Sequence, residues 1–461
     1  MNHINIARYN ELKHQVMTAL GYPIQEPGEV DVAIIADADV HLYLARQATE
    51  VRDWPLSIAH CRKGLEILQT ADTWATDPRS RKFVFSLRAE LAHAEQRNAN
   101  FPETLRILEN VSVAELSVQQ RLKIENLRAL TLAALNRREE AIDGILQLFQ
   151  ALEFQLTTTP PQFTLDDLRS LPEIKAKEDL ALLAILKTLG ELIYTARPEL
   201  HWPLLCTEMT LCLEKGNSPY TPQCYTDYAL ALFLNGEPEK AKQLSEFAIE
   251  LLREDPKLAL SMVSAFTLHY GMVCPWIDFP LTETIVLLEQ AFHSGVESWE
   301  TLISGGAAVI RLDHLRITGT TLQQCEDEYT KQIDCFKELR WEHQLPYAKI
   351  GKKFILDLQG SAEPALDFES HLPELMQAGN LTPIFLYHLN QVMFNYLMGN
   401  EKTAVAWANK GEPFHKACPG LIVVAEFFFY DALARLARLG SVSRLERFAL
   451  LDKIETSLQK L

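Results

Sequence analysis

Small side chains recur at a fixed interval along this chain, and that recurrence limits what it can fold into more than any other feature. Ala45 is followed twelve positions later by Ser57, Ala92 by Thr104, Ala129 by Ala141 and Ala229 by Ala241, and Ala404 follows Val392 by the same distance. Turn-forming stretches such as RDWP, NRREE and MGN lie inside these intervals. Two helices folded back on each other across a short turn bring positions equidistant from the turn side by side, and helix axes about 8–10 Å apart tolerate only small side chains there. The clearest example is TPQCYTDYALALFLNGEPEKAKQLSEFAIELLREDP, residues 221–256. Thr221 and Pro222 start a helix on which Tyr228, Ala229 and Leu232 share a face. Gly236 and Pro238 break it, Ala241, Ala248, Ile249 and Leu252 face inward on a second helix, and Pro256 cannot continue that one.

A helix-turn-helix of this length, with small residues at the crossing and glycine in the turn, resembles the 34-residue tetratricopeptide unit. Other pairs are expected over residues 37–69, 78–108, 121–152 and 385–416, with three bulkier helices over 282–339 and helices closing the chain. Asp77 and Pro78 read as a helix start, and HYGMVCPWIDFPLTE as a turn between helices. Spacing between equivalent alanines is uneven, 47 from Ala45 to Ala92 and 37 from Ala92 to Ala129. The expected fold is therefore all-α, a TPR-like α-solenoid of degenerate antiparallel helix pairs. TTTPPQFTLDD interrupts it, since Pro160 and Pro161 forbid helix. Three segments follow, 1–156, 157–270 and 271–461, joined as one continuous superhelix. The repeat positions expected to matter are Ala45, Ala92, Ala129, Ala141, Ala229, Gly236, Ala241, Ala248 and Ala404, and GNSP offers Gly216, Asn217 and Ser218 as a loop at a groove.

Composition narrows the functional classes. A net charge of -17 repels phosphate backbones and anionic membrane surfaces, so neither nucleic acid nor membrane is an expected partner. The run GLIVVAEFFFYDALARLARLG carries Glu426, Asp431 and Arg435 before it reaches spanning length. The polar N-terminus lacks signal-peptide order, which points to the cytoplasm. Eight cysteines form no CxxC pair and match no zinc spacing, so they read as reduced, buried hydrophobes.

Several stretches resemble the helical middle region of large multidomain bacterial signalling kinases, common in cyanobacteria, which join a Ser/Thr-kinase-like domain, a predicted P-loop ATPase, helical repeats, a GAF domain and a histidine kinase. HCRKGLEIL with DTWATD (Gly64, Leu65, Leu68, Trp74) and LRAELAHAEQRNANFPET are similar to its opening. LCLEKGNSPYTPQCYTDYAL (Leu213, Gly216, Asn217, Ser218, Tyr228) is similar to its centre, and FLYHLNQVMFNYLMGNEKTAVAWA with FFFYDALARLA to its end. The chain departs from that family in having no GxxxxGK[ST] loop, no kinase HRD or DFG and no phosphoacceptor histidine motif, so no catalytic residue carries over. The resemblance implies a regulatory scaffold whose partners are signalling kinase or ATPase domains.

No residue set stands out as catalytic, cofactor-binding or metal-ligating. Gly305 and Gly306 in ISGGAAVIRLDHLR lack the strand and the Lys-Ser of a phosphate loop and read as close helix packing. Asp313 with His314, and His269 with Cys274, lack a third ligand or an orienting group. FFFY (427–430) reads as core, and Arg435, Arg438, Arg444 and Arg447 as a basic, solvated face. The sequence thus points to a non-catalytic module binding a protein or peptide, without cofactor. Its alternatives are a sensor holding a peptide or small ligand in the superhelix groove and, last, an enzyme with an unrecognised site.

Overall fold

The computed structural model describes residues 30–69, 78–111, 116–255, 258, 261–277, 279–298, 300–361 and 368–461. Trp74, Asp77 and Pro256 lie outside them. The described residues are all-α, paired antiparallel helices in a TPR-like α-solenoid, and no strand forms among them beyond an isolated bridge between Glu173 and Asn217. The chain divides into two compact units, Met1–Thr131 and Leu132–Leu461.

In the first unit α1 (Val30–Glu50) pairs with α2 (Trp54–Gln69), α2 with α3 (Pro78–Arg97), and α3 with α4 (Phe101–Glu109). Ala45, Ser57, Ala92 and Thr104 are all fully buried, at the closest approach of these helices. Gly64 shows why size matters here: a Cβ would stand 2.9 Å from Leu87 and 3.3 Å from His41 Cβ, so α1, α2 and α3 meet on it. α5 (Val118–Ala134) carries Ala129, also fully buried.

The second unit opens with α6 (Arg138–Ala151), which buries Ala141, and then Thr157–Thr164 runs without helix until Thr164 and Asp167 form a capping box at α7 (Leu165–Arg169). α8 (Lys177–Ala196), α9 (His201–Lys215), α10 (Thr221–Leu234) and α11 (Pro238–Glu254) follow. Between α10 and α11, Gly236 takes φ +82° and Glu237 N–H donates to Leu232 O at 2.9 Å, a left-handed turn that closes the last carbonyls of the helix. The same six-to-one bond recurs at Arg137 to Leu132, Trp341 to Phe336 and Asn400 to Asn395. Ala229, Ala241 and Ala248 are fully buried.

α12 (Met262–Leu268) does not end at the aromatic stretch. It continues as a π-helical turn over His269–Val273 and a 3₁₀ turn over Cys274–Trp276, which corrects the expectation of a simple turn. The helix runs on because His269–Val273 are all buried and their backbone groups must stay paired, and Pro275 lies too far along to break it earlier. Next come α13 (Leu281–Ser298), α14 (Thr301–Ile317), α15 (Leu322–Glu338), α16 (Leu345–Leu358), α17 (Leu372–Gln377), α18 (Leu381–Leu397), α19 (Glu401–Gly411), α20 (Val423–Arg438) and α21 (Arg444–Leu458).

These helices form two layers. α10, α12, α14, α16, α18 and α20 pack on one another in series as an inner layer, and α11, α13, α15, α19 and α21 each cover the partner they pair with. The sequence explains the division. α10 and α18 bury residues around most of their circumference, as a helix apolar on all sides must. α11 is strongly amphipathic, turning Glu239, Lys240, Glu246 and Glu250 outward and Leu244, Phe247 and Ile249 inward. Within this unit the inner layer closes on itself: α8 packs against α18 and against the 3₁₀ turn Glu412–Ala417, and the turn before α18 brings Gly379 close to Ala196 and Glu139.

Candidate functional site

The closed inner layer surrounds a cavity of about 130 Å3. Its walls are largely apolar, with Leu268 from α12, Met272 from the π turn, Leu302 and Ile310 from α14, Leu386 from α18 and Leu421. Into this surface project three carboxyl side chains from separate helices, Glu191 of α8, Asp227 of α10 and Asp313 of α14.

Each is there for a local reason. Glu191 lies one turn beyond Lys187, 3.7 Å away, and Lys187 is also bonded to Glu300 at the start of α14. Burial works against the Lys187 charge, but the Glu300 and Glu191 carboxylates outweigh it and hold its ammonium above the ordinary range. Burial pushes Glu191 up to about 7, with Lys187 restraining the shift. Asp227 is the charged residue of an otherwise uncharged α10; burial above all raises it to about 7, Gln223 one turn earlier hydrogen-bonds it, and Glu191 adds repulsion. Burial likewise raises Asp313 to about 7, although Arg316 stands 3.8 Å off, because that guanidinium is taken by Glu426 in two bonds of 2.6 Å.

The remaining polar lining is mostly occupied. Thr267 donates to Val263 O at 2.7 Å, Thr382 to Ala417 O at 2.9 Å, and Gln344 Nε2 to Leu302 O at 3.1 Å. Tyr347 donates to Asn380 Oδ1 at 2.5 Å and engages Arg138, the cation of the lining, while burial keeps His201 neutral down to about 4. Gln223 is different. It is 4% exposed, and its Oε1 has no hydrogen-bond partner.

The positions singled out from sequence fall elsewhere. Ala45, Ala92, Ala129, Ala141, Ala229, Ala241, Ala248 and Ala404 are all fully buried between helices, and Gly236 sits exposed in its turn. The Gly216, Asn217 and Ser218 loop does not line the cavity. Asn217 N–H donates to Pro172 O at 2.7 Å, its Oδ1 accepts from Tyr225, and Ser218 N–H donates to Thr221 Oγ1, so the loop's polar groups are spent on tying it to the segment after α7 and to the start of α10. Of the adjacent glycines, only Gly305 serves close packing, against Gln344; Gly306 meets nothing within 4 Å and forms part of the cavity wall. His314 turns away from Asp313 and bonds Thr284 Oγ1 at 2.7 Å. Arg435 is not on a solvated face as expected: it is buried and bonded to Asp431 and Asn409, whereas Arg444 and Arg447 are exposed. Phe427 and Phe428 are core, but Phe429 is 47% exposed.

His269 and Cys274 do meet, with Nε2 and Sγ 3.2 Å apart, yet both are buried. Burial holds the imidazole neutral down to about 4 and pushes the thiol up to about 12, so the pair exists as neutral thiol and neutral ring rather than as an activated nucleophile. Among the described residues no cluster of three or more His, Cys, Asp or Glu is placed to hold a metal ion, and no helix is long and apolar enough to cross a membrane. A second cavity of about 380 Å3 lies beside α16 and α18; in its lining Lys353 bonds Asp357 and His371 lies 3.6 Å from Glu374.

No protein-family model matches the chain, and no curated protein matches it. Among solved structures, the crystal structure of APC/C hetero-tetramer Cut9-Hcn1 pairs with 96% of this chain and 98% of its own at 12% identity, with a TM-score of 0.27. A superposition that loose carries no inference about function. The fold is defined by the chain's own helices, their buried small-residue crossings and their left-handed turns.

Proposed function

We propose that this chain is a non-catalytic, TPR-like interaction module that binds a protein or peptide partner within signalling machinery of the cytoplasm. One observation supports the reading: an inner layer of helices from successive pairs surrounds a cavity in whose wall the Gln223 oxygen is left for a partner to satisfy. The likeness of the sequence to the middle region of multidomain signalling kinases supports kinase or ATPase domains as the partners. The missing phosphate-binding and metal-holding motifs support the absence of turnover.

A second reading, a sensor, is favoured by the size of the cavity. About 130 Å3 is too small for a helix and suits one side chain or a small molecule. Selection from a library of displayed random peptides tests both readings. Peptides that bind the wild-type chain and lose binding when Gly306→Val fills the cavity support the interior as the binding surface. Binders indifferent to that change, or nucleotide turnover by the purified chain that survives successive chromatographic steps, overturn the reading.

A further inference from the structure

The cavity states what kind of ligand it would accept. Gln223 is nine-tenths buried, lines the cavity and offers a carbonyl oxygen that no donor in the protein reaches. Asp227 lies one turn along the same helix, Glu191 faces it from α8, and Asp313 adds a third carboxyl from α14. Arg138, the opposing cation of the lining, is on α6 and engages the Tyr347 hydroxyl. Hydrogen-bond acceptors therefore outnumber donors here: Lys187 holds Glu191, Gln223 holds Asp227 and Arg316 stands beside Asp313, while the Gln223 oxygen lacks a donor.

We propose that the cavity recognises a primary ammonium group carried on a short apolar body, the ammonium among Gln223 Oε1, Asp227 and Glu191 and the carbon skeleton against Leu268, Met272 and Ile310. An ammonium has three donors and no acceptor, which matches three acceptors from two helices. A guanidinium would need a planar fork of partners on one face, and an anion would meet three carboxyls. A hydrated divalent cation needs six or more oxygens, and this wall is mostly hydrocarbon. A cavity of about 150 Å3 takes a six-carbon ring, so this one accommodates a branched group of about four to six carbons. The carboxyls, raised toward neutrality when the site is empty, ionise as the cation arrives, so the cavity need not hold unpaired charge while it waits. Such an ammonium comes either from a free amine or from the first residue of a peptide. The proposal rests on the sensor reading above and on no particular protein partner.

Isothermal titration of the full chain at pH 7.5 with isoamylamine, isoamyl alcohol and isovalerate tests it, together with leucyl-glycyl-glycine amide and its N-acetylated form. Isoamylamine is expected to bind at roughly millimolar affinity or tighter, at least tenfold better than the alcohol, and isovalerate not at all. Asp227→Asn should weaken the amine about ten- to a hundredfold and leave the alcohol unchanged, since a charge-assisted bond is lost. Gly306→Val should abolish both while leaving the far-UV circular dichroism intact. The tripeptide binding only with its amine free marks a chain terminus as the source; isoamylamine binding alone marks a free amine. An amine that binds no better than the alcohol, or an Asp227→Asn protein that binds it undiminished, overturns the proposal but spares a ligand-binding cavity. If no probe binds while displayed peptides do, the proposal fails and the interaction module stands. Should Asp227→Asn fail to fold, the contrast of amine with alcohol and the Gly306→Val protein decide.

Discussion

Two adjacent glycines in one helix should respond in opposite directions to the same methyl group. A Cβ at Gly305 would overlap Cδ and Nε2 of Gln344 and stand 2.5 Å from its Cγ. Gln344 cannot swing aside freely, because it is buried and its Nε2 donates to the Thr301 and Leu302 carbonyls at 3.4 and 3.1 Å. Displacing it forfeits those bonds at about 1 kcal/mol each or forces an overpacked contact at about 1–3 kcal/mol. The gain from replacing a mid-helix glycine by alanine, about 1 kcal/mol, offsets only part of this. Gly305→Ala should therefore destabilise by about 1–2 kcal/mol. Gly306→Ala meets nothing within 4 Å and keeps only the helical gain, so it should stabilise by about 0.5–1 kcal/mol. Urea unfolding followed by circular dichroism, with hydrogen exchange over residues 301–317 to localise the effect, measures the difference. Equal shifts, or a more stable Gly305→Ala protein, would refute the assignment of Gln344 as the obstacle.

Ala241→Leu, at a fully buried crossing, should destabilise by about 1–3 kcal/mol, while Leu at the exposed Asn235 changes stability by about half a kcal/mol or less; unchanged exchange protection over residues 200–270 in the Ala241→Leu protein contradicts it. Arg316→Met strands Glu426 inside and should lower stability by about 3–5 kcal/mol, most of it recovered by also replacing Glu426 with Met, as a double-mutant cycle in urea will read; additive losses would sink the idea. Burial, helped by Arg138, keeps His343 unprotonated down to about 3 in the folded chain, while the unfolded chain takes up the proton near 6.5. Its contribution is thus complete above about pH 6.5 and lost as the pH falls toward 3, whereas Glu191, Asp227 and Asp313, raised to about 7, contribute most below about pH 4 and lose it as the pH rises. The stability difference between wild type and His343→Leu should therefore change by up to about 1.4 kcal/mol per pH unit between pH 6.5 and 4, and a difference flat across that range contradicts the argument.

The helix pairs were legible because their determinants are local. A small residue, a turn and a second small residue twelve positions on specify a crossing within one stretch of chain, and Ala229, Gly236 and Ala241 do so without help from elsewhere. The π turn at His269–Val273 was not legible, since a sequence rich in aromatics beside a proline looks like a loop until burial demands that its backbone stay paired. Nor was the cavity, whose Glu191, Asp227 and Asp313 come together only when the inner layer closes. One trace of it lay in the sequence: Asp227 is a carboxylate on a helix without a single Lys or Arg to answer its charge. Gly306 was misleading, since beside Gly305 it looked like a second close-packing glycine, whereas nothing stands within 4 Å of it.

The contact of α8 with α18 bears on how a chain of this kind can be lengthened or shortened. An open array accepts one more helix pair, or one fewer, because each pair needs only its neighbours. Here a pair inserted between α10 and α18 would carry α18 past α8 by a full step, open the wall that holds the cavity, and leave Tyr347 without the Arg138 it now meets. The number of pairs in this unit is thereby set by geometry, as the number of staves in a barrel is, and variation in length is confined to stretches outside the closed layer.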